Sequence, residues 1–308
     1  QIEKLSPWKE ILVFMNYIQL AKFFAAFSSL SAGTSIVATR LVLPDTDPQS
    51  MAVIRFGIGA LCLMPFLVIG FRRHPIAMDD WLAVIFLGVL FFGLFTFLFN
   101  ASLALTTAAH GAVGLATSPI MTLVLAWILR REVMTKMKMI CVLMAFLGVA
   151  VAVSDNLITT DSGTDILVGD SLMLLAALTV SIYTIYAKPY IIKYGGIYFT
   201  AIVMAIGVCS LITVAPLSGF PISLPNFSFS DWGVMLFLGV IGAATQFASY
   251  FWALGRIPPS TVGISLTLAP VSAFIFAWPI LGEEISYQAV LGLIFVVSAI
   301  VIINRQPQ

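Results

Sequence analysis

The sequence predicts an all-α, polytopic membrane protein with ten transmembrane helices arranged as two inverted five-helix repeats. The first supporting observation is composition. The 308 residues are 60% hydrophobic and only 9% charged, whereas a soluble globular domain carries about a quarter charged residues. The second is a recurrence of long apolar segments along the whole chain. The third is an internal repeat whose two copies are followed by loops of different charge.

The apolar segments are each close to the ~20 residues that a helix needs to cross the hydrocarbon of a bilayer. Turn-forming or charged residues separate them. The ten predicted spans cover residues 22–43, 49–70, 81–103, 108–129, 138–155, 168–190, 197–217, 232–254, 259–281 and 286–304. Residues 1–21 hold only a shorter apolar run, which favours an interfacial helix on the cytoplasmic side.

The internal repeat has an offset of 151 residues, and its landmarks keep their spacing in both copies. Asp80-Trp81, Pro119, Trp127 and Glu132 recur as Asp231-Trp232, Pro270, Trp278 and Glu283. A basic loop follows the first copy, whereas the acidic pair Glu283-Glu284 follows the second. A duplicated membrane segment whose loop charge reverses enters the bilayer in the opposite orientation. We therefore expect one repeat at 22–155, an acidic extracytoplasmic linker at 156–167, and a second repeat at 168–305.

The positions of the basic residues predict the orientation of the chain. Of the 15 Lys and Arg residues, all but Arg40 and Arg55 fall on the cytoplasmic side if the N-terminus is inside, as the positive-inside rule requires. The acidic residues then face outward, namely Asp45, Asp47, Asp155, Asp161, Asp165, Asp170, Asp231, Glu283 and Glu284. We expect a multi-pass protein of the cell (inner) membrane, embedded in the lipid bilayer, with both termini cytoplasmic.

The motifs of several other function classes are missing from the sequence. There is no Gly-rich phosphate loop, no HExxH motif and no basic stripe suited to nucleic acid. His74 and His110 are the two histidines of the chain, too few for a metal centre or a catalytic base at membrane depth. We expect no enzyme activity, cofactor, metal or nucleic-acid partner. Inverted repeats are typical of transporters, and a channel-like facilitator without alternating access is the alternative.

Polar side chains inside apolar helices indicate where a small-molecule substrate would bind, because such groups usually face protein or water. Several follow helical stripes at spacings of three and four residues. The predicted substrate-binding residues are Ser35, Arg55, Asn100, His110, Tyr183, Gln246 and Tyr250. The alternative is ordinary helix packing, in which small polar residues let backbones approach.

Arg55 and His110 each allow two interpretations. A central arginine costs roughly 2.5–3.5 kcal/mol on insertion scales. Arg55 either snorkels outward and pairs with Asp45, Asp47 or Glu284 or caps helix carbonyls, or it attracts a substrate carboxylate. His110 is either a shallow, hydrogen-bonded histidine or a proton-coupling group.

Pro119 and Pro270 lie near the centres of two predicted helices and are expected to kink them. Each removes an amide donor and frees a carbonyl about four residues earlier, near Leu115 and Leu266. The kinks are either hinges or static bends. No Asp or Glu lies in the middle of a predicted span, which argues against cationic drugs and favours zwitterions or weak anions.

These features resemble the drug/metabolite transporter superfamily, in its ten-helix branch with two EamA-type repeats, over residues 22–304. The resemblance rests on Arg55-Phe56 early in the second helix and on Pro270 followed by Gly282-Glu283. The first copy departs from the pattern, with Arg131 before Glu132. The resemblance implies a transporter of small metabolites, often an exporter, with a central cavity between the repeats. We therefore expect a secondary transporter that exports a small polar metabolite, such as an amino acid or weak organic anion, by alternating access. Pairing of two copies into a homodimer is left open.

Overall fold

The computed structural model describes residues 7–130, 133–153, 163–214, 222–223, 225–257, 265–266, 268–283 and 286–304, and these residues form an all-helical fold. Part of the predicted linker, the loop pair Arg131-Glu132 and Glu284 lie outside the described residues. An all-helical fold follows from composition, because a backbone in lipid must satisfy its hydrogen bonds within the segment that spans it.

Ten helices occur in the described part of the chain, one at each predicted span. They are α1 (Pro7–Val42), α2 (Pro48–Arg73), α3 (Met78–Leu105), α4 (Ala108–Ile128), α5 (Lys136–Val153), α6 (Gly163–Tyr194), α7 (Gly196–Val214), α8 (Phe229–Leu254), α9 (Leu268–Leu281) and α10 (Tyr287–Asn304). Seven of them, α1 to α4 and α6 to α8, are long and apolar enough to cross a membrane. The polytopic all-α class is confirmed, and a full count of ten spans stays a prediction for α5, α9 and α10.

Two helices begin five or more residues earlier than predicted. The helix α1 begins at Pro7, so the short apolar run that predicted a separate interfacial helix is continuous with it. The reason is local, because no glycine or proline occurs between Pro7 and Gly33 to end the helix. The helix α6 begins at Gly163, which places Asp165 in its first turn and Asp170 further inside it.

The two repeats are inverted, as the direction of their matching helices shows. Helices α2 and α7 are repeat partners and pack against each other. At one end, Nε2 of Gln49 donates to the carbonyl of Leu211 at 3.0 Å; at the other end, Gly70 contacts the ring of Tyr198. The two helices are therefore antiparallel, whereas repeats inserted in the same orientation would have run their partner helices parallel.

The other helix contacts follow the same symmetry. Helix α1 packs on α8 and α9, and its partner α6 packs on α3 and α4. Helices α5 and α10 pack on each other with Gly148 against Phe295 and Gly292 against Ala152, which again makes the pair antiparallel. Consequently α1 to α4 interleave with α6 to α9, and the interface between the repeats runs through the centre of the protein.

Helices α3 and α8 each contain a π-helical segment, Val89–Phe95 and Val240–Thr245. The two segments start at equivalent positions of the repeat. In each, a threonine hydroxyl bonds a carbonyl five residues earlier, Thr96 to Phe91 at 3.4 Å and Thr245 to Val240 at 2.8 Å. Such π-helical turns are rare and occur often at functional sites, because they widen the helix and release backbone groups.

Helix α4 is interrupted at Thr117, and Pro119 lies in the first turn of its second part. The carbonyl of Leu115, which the proline was expected to free, accepts the hydroxyl of Ser118. From α6, the hydroxyl of Ser181 donates to the carbonyl of Ser118 at 3.0 Å. The helix is therefore interrupted close to the position where Pro119 was predicted to kink it, and the carbonyls of Leu115 and Ser118 are bonded within the chain.

Pro270 lies in the first turn of α9 as described, and is buried. The carbonyl of Leu266 accepts the amide of Ala269 at 3.2 Å. In the described residues, the carbonyls that the two prolines were expected to free, those of Leu115 and Leu266, both accept a hydrogen bond. This favours a static bend. A hinge role for Pro119 and Pro270 stays a prediction.

Polar contacts between helix ends agree with the predicted alternation of sides. Asp80 and Lys193, both expected on the cytoplasmic side, lie 2.6 Å apart between carboxylate and ammonium. Arg40 and Glu283, both expected on the outer side, lie 3.7 Å apart. An error of one span between the members of either pair would have placed them on opposite faces of the bilayer.

Candidate functional site

Arg55 of α2 is a buried cation at the point where α1, α2 and α8 meet. The residue is only 4% exposed. One terminal nitrogen, Nη1, donates to the hydroxyl of Thr39 on α1 at 3.1 Å. The other, Nη2, donates to the carbonyl of Gly242 in the π-helical segment of α8 at 2.8 Å. The guanidinium therefore points inward to the middle of α8, and the expectation that it snorkels outward is wrong.

The charge of Arg55 is not paired with a carboxylate among the described residues. Neither Asp45 nor Asp47 forms an ion pair with it, and Glu284 lies outside the described residues. Of the three structural roles expected for Arg55, carbonyl capping is the one observed. Its Nε is buried and has no hydrogen-bond partner in the described part of the chain.

Two phenylalanine rings cover the guanidinium. The Cζ of Arg55 lies 5.1 Å from the ring centre of Phe56 and 5.9 Å from that of Phe99. Cation–π contacts of this length contribute about 0.5–2 kcal/mol, which is small beside the cost of removing an arginine from water. The site therefore holds a positive charge that its own protein groups stabilise only in part.

Ser35 and Gln246 complete a polar cluster around this arginine, which we define as Ser35, Thr39, Arg55 and Gln246. The hydroxyl of Ser35 lies 3.5 Å from Oε1 of Gln246, a long hydrogen bond between α1 and α8. Gly242 permits this approach, because a Cβ at that position would lie 2.3 Å from the Ser35 hydroxyl. The structure thus brings three of the predicted site residues together: Ser35, Arg55 and Gln246.

Asn100 of α3 lies beside the polar cluster. It is fully buried, and its Nδ2 donates to the carbonyl of Pro48 at 3.1 Å. Its Oδ1 has no hydrogen-bond partner in the described residues. The preceding residue, Phe99, contacts Arg55, so the helix that carries Asn100 and its unused acceptor borders the polar cluster.

Tyr183 and Tyr250 belong to a different environment, an aromatic cluster next to the polar one. We define the aromatic cluster as Phe56, Phe91, Phe92, Tyr183, Phe247, Tyr250 and Phe251. The ring of Tyr183 stacks on Phe91 at 4.2 Å and lies 5.7 Å from Phe251. Tyr250 lies 5.2 Å from Phe251, and Phe56 connects the stack to Arg55 through Phe247 at 6.1 Å. The predicted tyrosines thus reach the polar cluster through rings of α2 and α8.

Three polar atoms of this region are buried without a described partner: Nε of Arg55, Oδ1 of Asn100 and the hydroxyl of Tyr183. Buried polar groups are nearly always hydrogen-bonded, and leaving one unsatisfied costs about 1–3 kcal/mol. A cation, an amide acceptor and a phenol form a set of groups that suits a carboxylate with a second polar function. Among the described residues, no three His, Cys, Asp or Glu side chains are placed to hold a metal ion.

His110 lies apart from these groups in the contacts that the structure describes. Its Nδ1 lies 3.1 Å from Oδ2 of Asp170 on α6, and the hydroxyl of Thr106 donates to Oδ1 of the same carboxylate at 2.6 Å. Asp170 was expected on the extracytoplasmic side; the structure adds that the residue is buried within α6, at 7% exposure. The helix α6 begins five residues before its predicted start, so Asp170 lies more than one turn inside the helix. A substrate-binding role for His110 stays a prediction.

Sequence reasoning missed two contributors to the site. Gly242 supplies its carbonyl to Arg55. The one signal for it in the sequence is the 151-residue offset of the repeat, which pairs Gly242 with Phe91 in the other π-helical segment. The aromatic cluster was also missed, although the spacing of Phe91 and Phe95, and of Phe247 and Phe251, is that of one helix face.

A cleft of about 430 Å³ opens elsewhere, between α1, α8 and α9. It is lined by Thr34, Ala38, Leu41, Ser230, Gly233, Val234, Phe237, Phe276 and Ile280. None of the predicted site residues lines it. Its walls are mostly apolar side chains on the lipid-facing side of the helices, so it is separate from the polar cluster.

The chain matches the EamA-like transporter family twice, over residues 19–154 and 167–305. It is 25% identical to the "Uncharacterized transporter YyaM" of Bacillus subtilis over 291 residues, which cover 92% of each chain. It is 26% identical to a WAT1-related chloroplastic protein of Arabidopsis thaliana, covering 88% of this chain and 66% of the relative. A solved crystal structure shares the fold, with a TM-score of 0.64, 16% identity, and coverage of 92% of this chain and 95% of the other. The protein therefore belongs to the EamA-like transporter family.

Proposed function

We propose that this member of a transporter family is a secondary transporter that exports a small polar metabolite, an amino acid or a weak organic anion, by alternating access. The observation that carries the proposal is Arg55, a buried cation with an unused donor and no described carboxylate partner. This charge decides which ligand fits, and the division of the site between the repeats decides how the ligand is released.

A substrate carboxylate is the ligand that best fits Arg55. Only two of the five N–H donors of a guanidinium are used by Thr39 and Gly242. A carboxylate can accept two parallel hydrogen bonds from an arginine, and such charge-assisted bonds are about twice as strong as neutral ones. The amide oxygen of Asn100 would then accept a donor from the same molecule, such as an amino group. An amino acid carries both functions.

Alternating access is supported by the way in which the polar cluster is divided between the repeats. Ser35, Thr39 and Arg55 belong to the first repeat, and Gln246 belongs to the second. A relative tilt of two inverted halves therefore moves one wall of the site against the other and changes its exposure from one side to the other. The aromatic cluster is packed directly beside the site, which does not resemble the continuous polar pore of a channel.

A ligand screen tests the substrate class. Purified protein is heated with amino acids, small organic anions and quaternary ammonium compounds, and the melting temperature is measured. We expect carboxylate compounds to raise it. The shift should vanish in Arg55→Met and weaken in Arg55→Lys, because lysine keeps the charge but cannot form a bidentate pair. Arg256→Gln is the matched control, since that exposed arginine lies over Trp252, outside the cluster.

The same compounds distinguish binding at the predicted site from binding elsewhere. Gln246→Ala and Asn100→Ala should each weaken the response to the best carboxylate while leaving the unliganded melting curve cooperative. A preference for quaternary ammonium compounds, or a full response in Arg55→Met, would refute the proposed site and substrate class.

Counterflow in proteoliposomes tests the mechanism. Vesicles loaded with the unlabelled best ligand should accumulate external labelled ligand, because an alternating-access carrier exchanges one molecule for another. A channel-like facilitator would only equilibrate the label. Export in intact cells is tested by the intracellular level of the ligand, which should fall when the protein is produced and should not fall with Arg55→Met.

A further inference from the structure

The extracytoplasmic ends of α4 and α6 are joined by a buried, titratable contact that we call the outer latch, defined as Thr106, His110 and Asp170. His110 and Asp170 are each 7% exposed and Thr106 is 1% exposed. Both oxygens of the carboxylate are engaged, Oδ1 with the Thr106 hydroxyl at 2.6 Å and Oδ2 with Nδ1 of His110 at 3.1 Å. Thr106 and His110 belong to the first repeat and Asp170 to the second.

The depth of the outer latch places it at the outer surface of the bilayer. Asp170 precedes Tyr194, the cytoplasmic end of α6, by 24 residues, which corresponds to about 36 Å of helix at ~1.5 Å per residue. The hydrocarbon is about 30 Å thick. The latch therefore lies at the level of the outer headgroups, where protons of the external solution are near once the two ends separate.

Other charged groups face the same helix ends. Glu283, between α9 and α10, accepts the amide of Ala108 at 2.9 Å and lies 3.7 Å from Arg40 of α1. Tyr287 at the start of α10 is exposed. The charged residues of α5, Lys136 and Lys138, are at its cytoplasmic end, and residues 81–105 of α3 contain no charged side chain.

We propose that the outer latch is the proton-binding site of this transporter, so that H⁺ is its coupling ion. The inference rests on the proposed alternating access. An ionised Asp170 accepts hydrogen bonds from both Thr106 and His110 and holds the repeats together on the outer side. A proton added to one of its carboxylate oxygens turns that acceptor into a donor. The carboxylate charge is then neutralised, the charge-assisted bonds from Thr106 and His110 weaken, and the latch opens. Deprotonation closes it again, with the proton returned to the solution.

The test measures opening directly and needs no substrate. Nitroxide labels are attached at Leu105→Cys and Val168→Cys, both exposed positions at the outer ends of α3 and α6, in a chain whose own cysteines are replaced. Dipolar broadening is recorded in nanodiscs as the pH is lowered. We expect the labels of the otherwise unchanged chain to separate on acidification. Asp170→Asn, which resembles the protonated acid, should keep them apart at every pH. Asp165→Asn, an exposed carboxylate of the same helix, should respond like the parent.

Thr106→Val provides a second variant that keeps the carboxylate. Loss of a donor to the ionised form favours the protonated form, so opening should occur at a higher pH than in the parent. The proposal is wrong if the parent chain shows no pH-dependent separation, or if Asp170→Asn keeps the pH response of the parent. Either result leaves the carboxylate screen at Arg55 untouched, so failure of the latch and failure of the proposed function are distinguishable.

Discussion

The contact between α1 and α9 allows a direct test of how the two repeats pack. Gly33 of α1 faces Ala269 and Ser272 of α9, whose hydroxyl also donates to the carbonyl of Leu30 at 3.1 Å. A Cβ at position 33 would lie 2.0 Å from the carbonyl oxygen of Ala269 and from the Ser272 hydroxyl. Ordinary non-bonded contacts are about 3.5–4.0 Å, so α9 would have to move away by about 1.5 Å. The colliding carbonyl is backbone, and no side-chain rotation relieves it.

Gly33→Ala should therefore destabilise the protein by about 1–3 kcal/mol, as overpacking usually does. Gly57→Ala is the matched control, because nothing lies within 4 Å of a Cβ there and alanine favours a helix over glycine by up to about 1 kcal/mol. Thermal unfolding in the same detergent should show a lower melting temperature for Gly33→Ala and an unchanged or higher one for Gly57→Ala. If both variants melt together with the parent, the close packing of α1 against α9 at Gly33 is refuted.

Three further substitutions test single polar groups. Tyr183→Phe removes a buried hydroxyl without a described partner, so the unliganded melting temperature should stay the same or rise; a lost ligand response in this variant would assign the hydroxyl to the substrate. Ser272→Ala should lower stability by about 1 kcal/mol, because the hydrogen bond to the carbonyl of Leu30 disappears. A melting temperature equal to that of the parent would contradict this contact. Thr39→Val should cost about 1–3 kcal/mol by leaving an Arg55 donor unbonded, and carboxylate ligands should offset part of this loss.

The fold was predictable from the sequence because a bilayer makes secondary structure a local property. Hydropathy locates the helices, and the offset between Asp80 and Asp231 identifies the repeat. The inversion followed from loop charge alone. The start of α1 was misjudged for a related reason, because a lipid-based criterion finds the span, predicted from residue 22, and not the helical extension before it.

The arrangement of the candidate site was less predictable, because it depends on which helix faces which. For Arg55 the sequence left open whether it snorkels outward, caps helix carbonyls or attracts a substrate carboxylate. The structure shows that the carbonyl it reaches, that of Gly242, is supplied by a helix 187 residues away in sequence. Likewise, Asp170 was counted with the external acids, since nothing in its neighbours reveals that Thr106 and His110 pack against it. The sequence identifies the polar and charged residues that are unfavourable in an apolar helix, and only the packing of the helices shows which groups form hydrogen bonds with them.

The polar contacts between the repeats differ between the two ends of the protein. On the outer side the described residues include the outer latch and the pair of Arg40 with Glu283, a carboxylate whose side chain is only 14% exposed. On the cytoplasmic side Asp80 pairs with Lys193, whose side chain is 54% exposed. Surface ion pairs of that kind contribute about 0–1 kcal/mol, whereas a buried carboxylate that also bonds a helix N-terminus contributes more. We therefore expect the outer end to be the more firmly closed of the two.

A cysteine in the polar cluster tests this difference. Ser35→Cys, in a chain without its own cysteines, is exposed in sealed vesicles to a membrane-impermeant maleimide on one side at a time. Glu283→Ala should speed labelling from the extracytoplasmic side, because the amide of Ala108 loses its acceptor and the outer contact weakens. Asp80→Asn should change labelling only from the cytoplasmic side, and by a smaller factor, since the ammonium of Lys193 that it releases is already 54% exposed to solvent. Equal effects of both substitutions on both sides would mean that these contacts do not gate the site, and that access to Arg55 is controlled elsewhere.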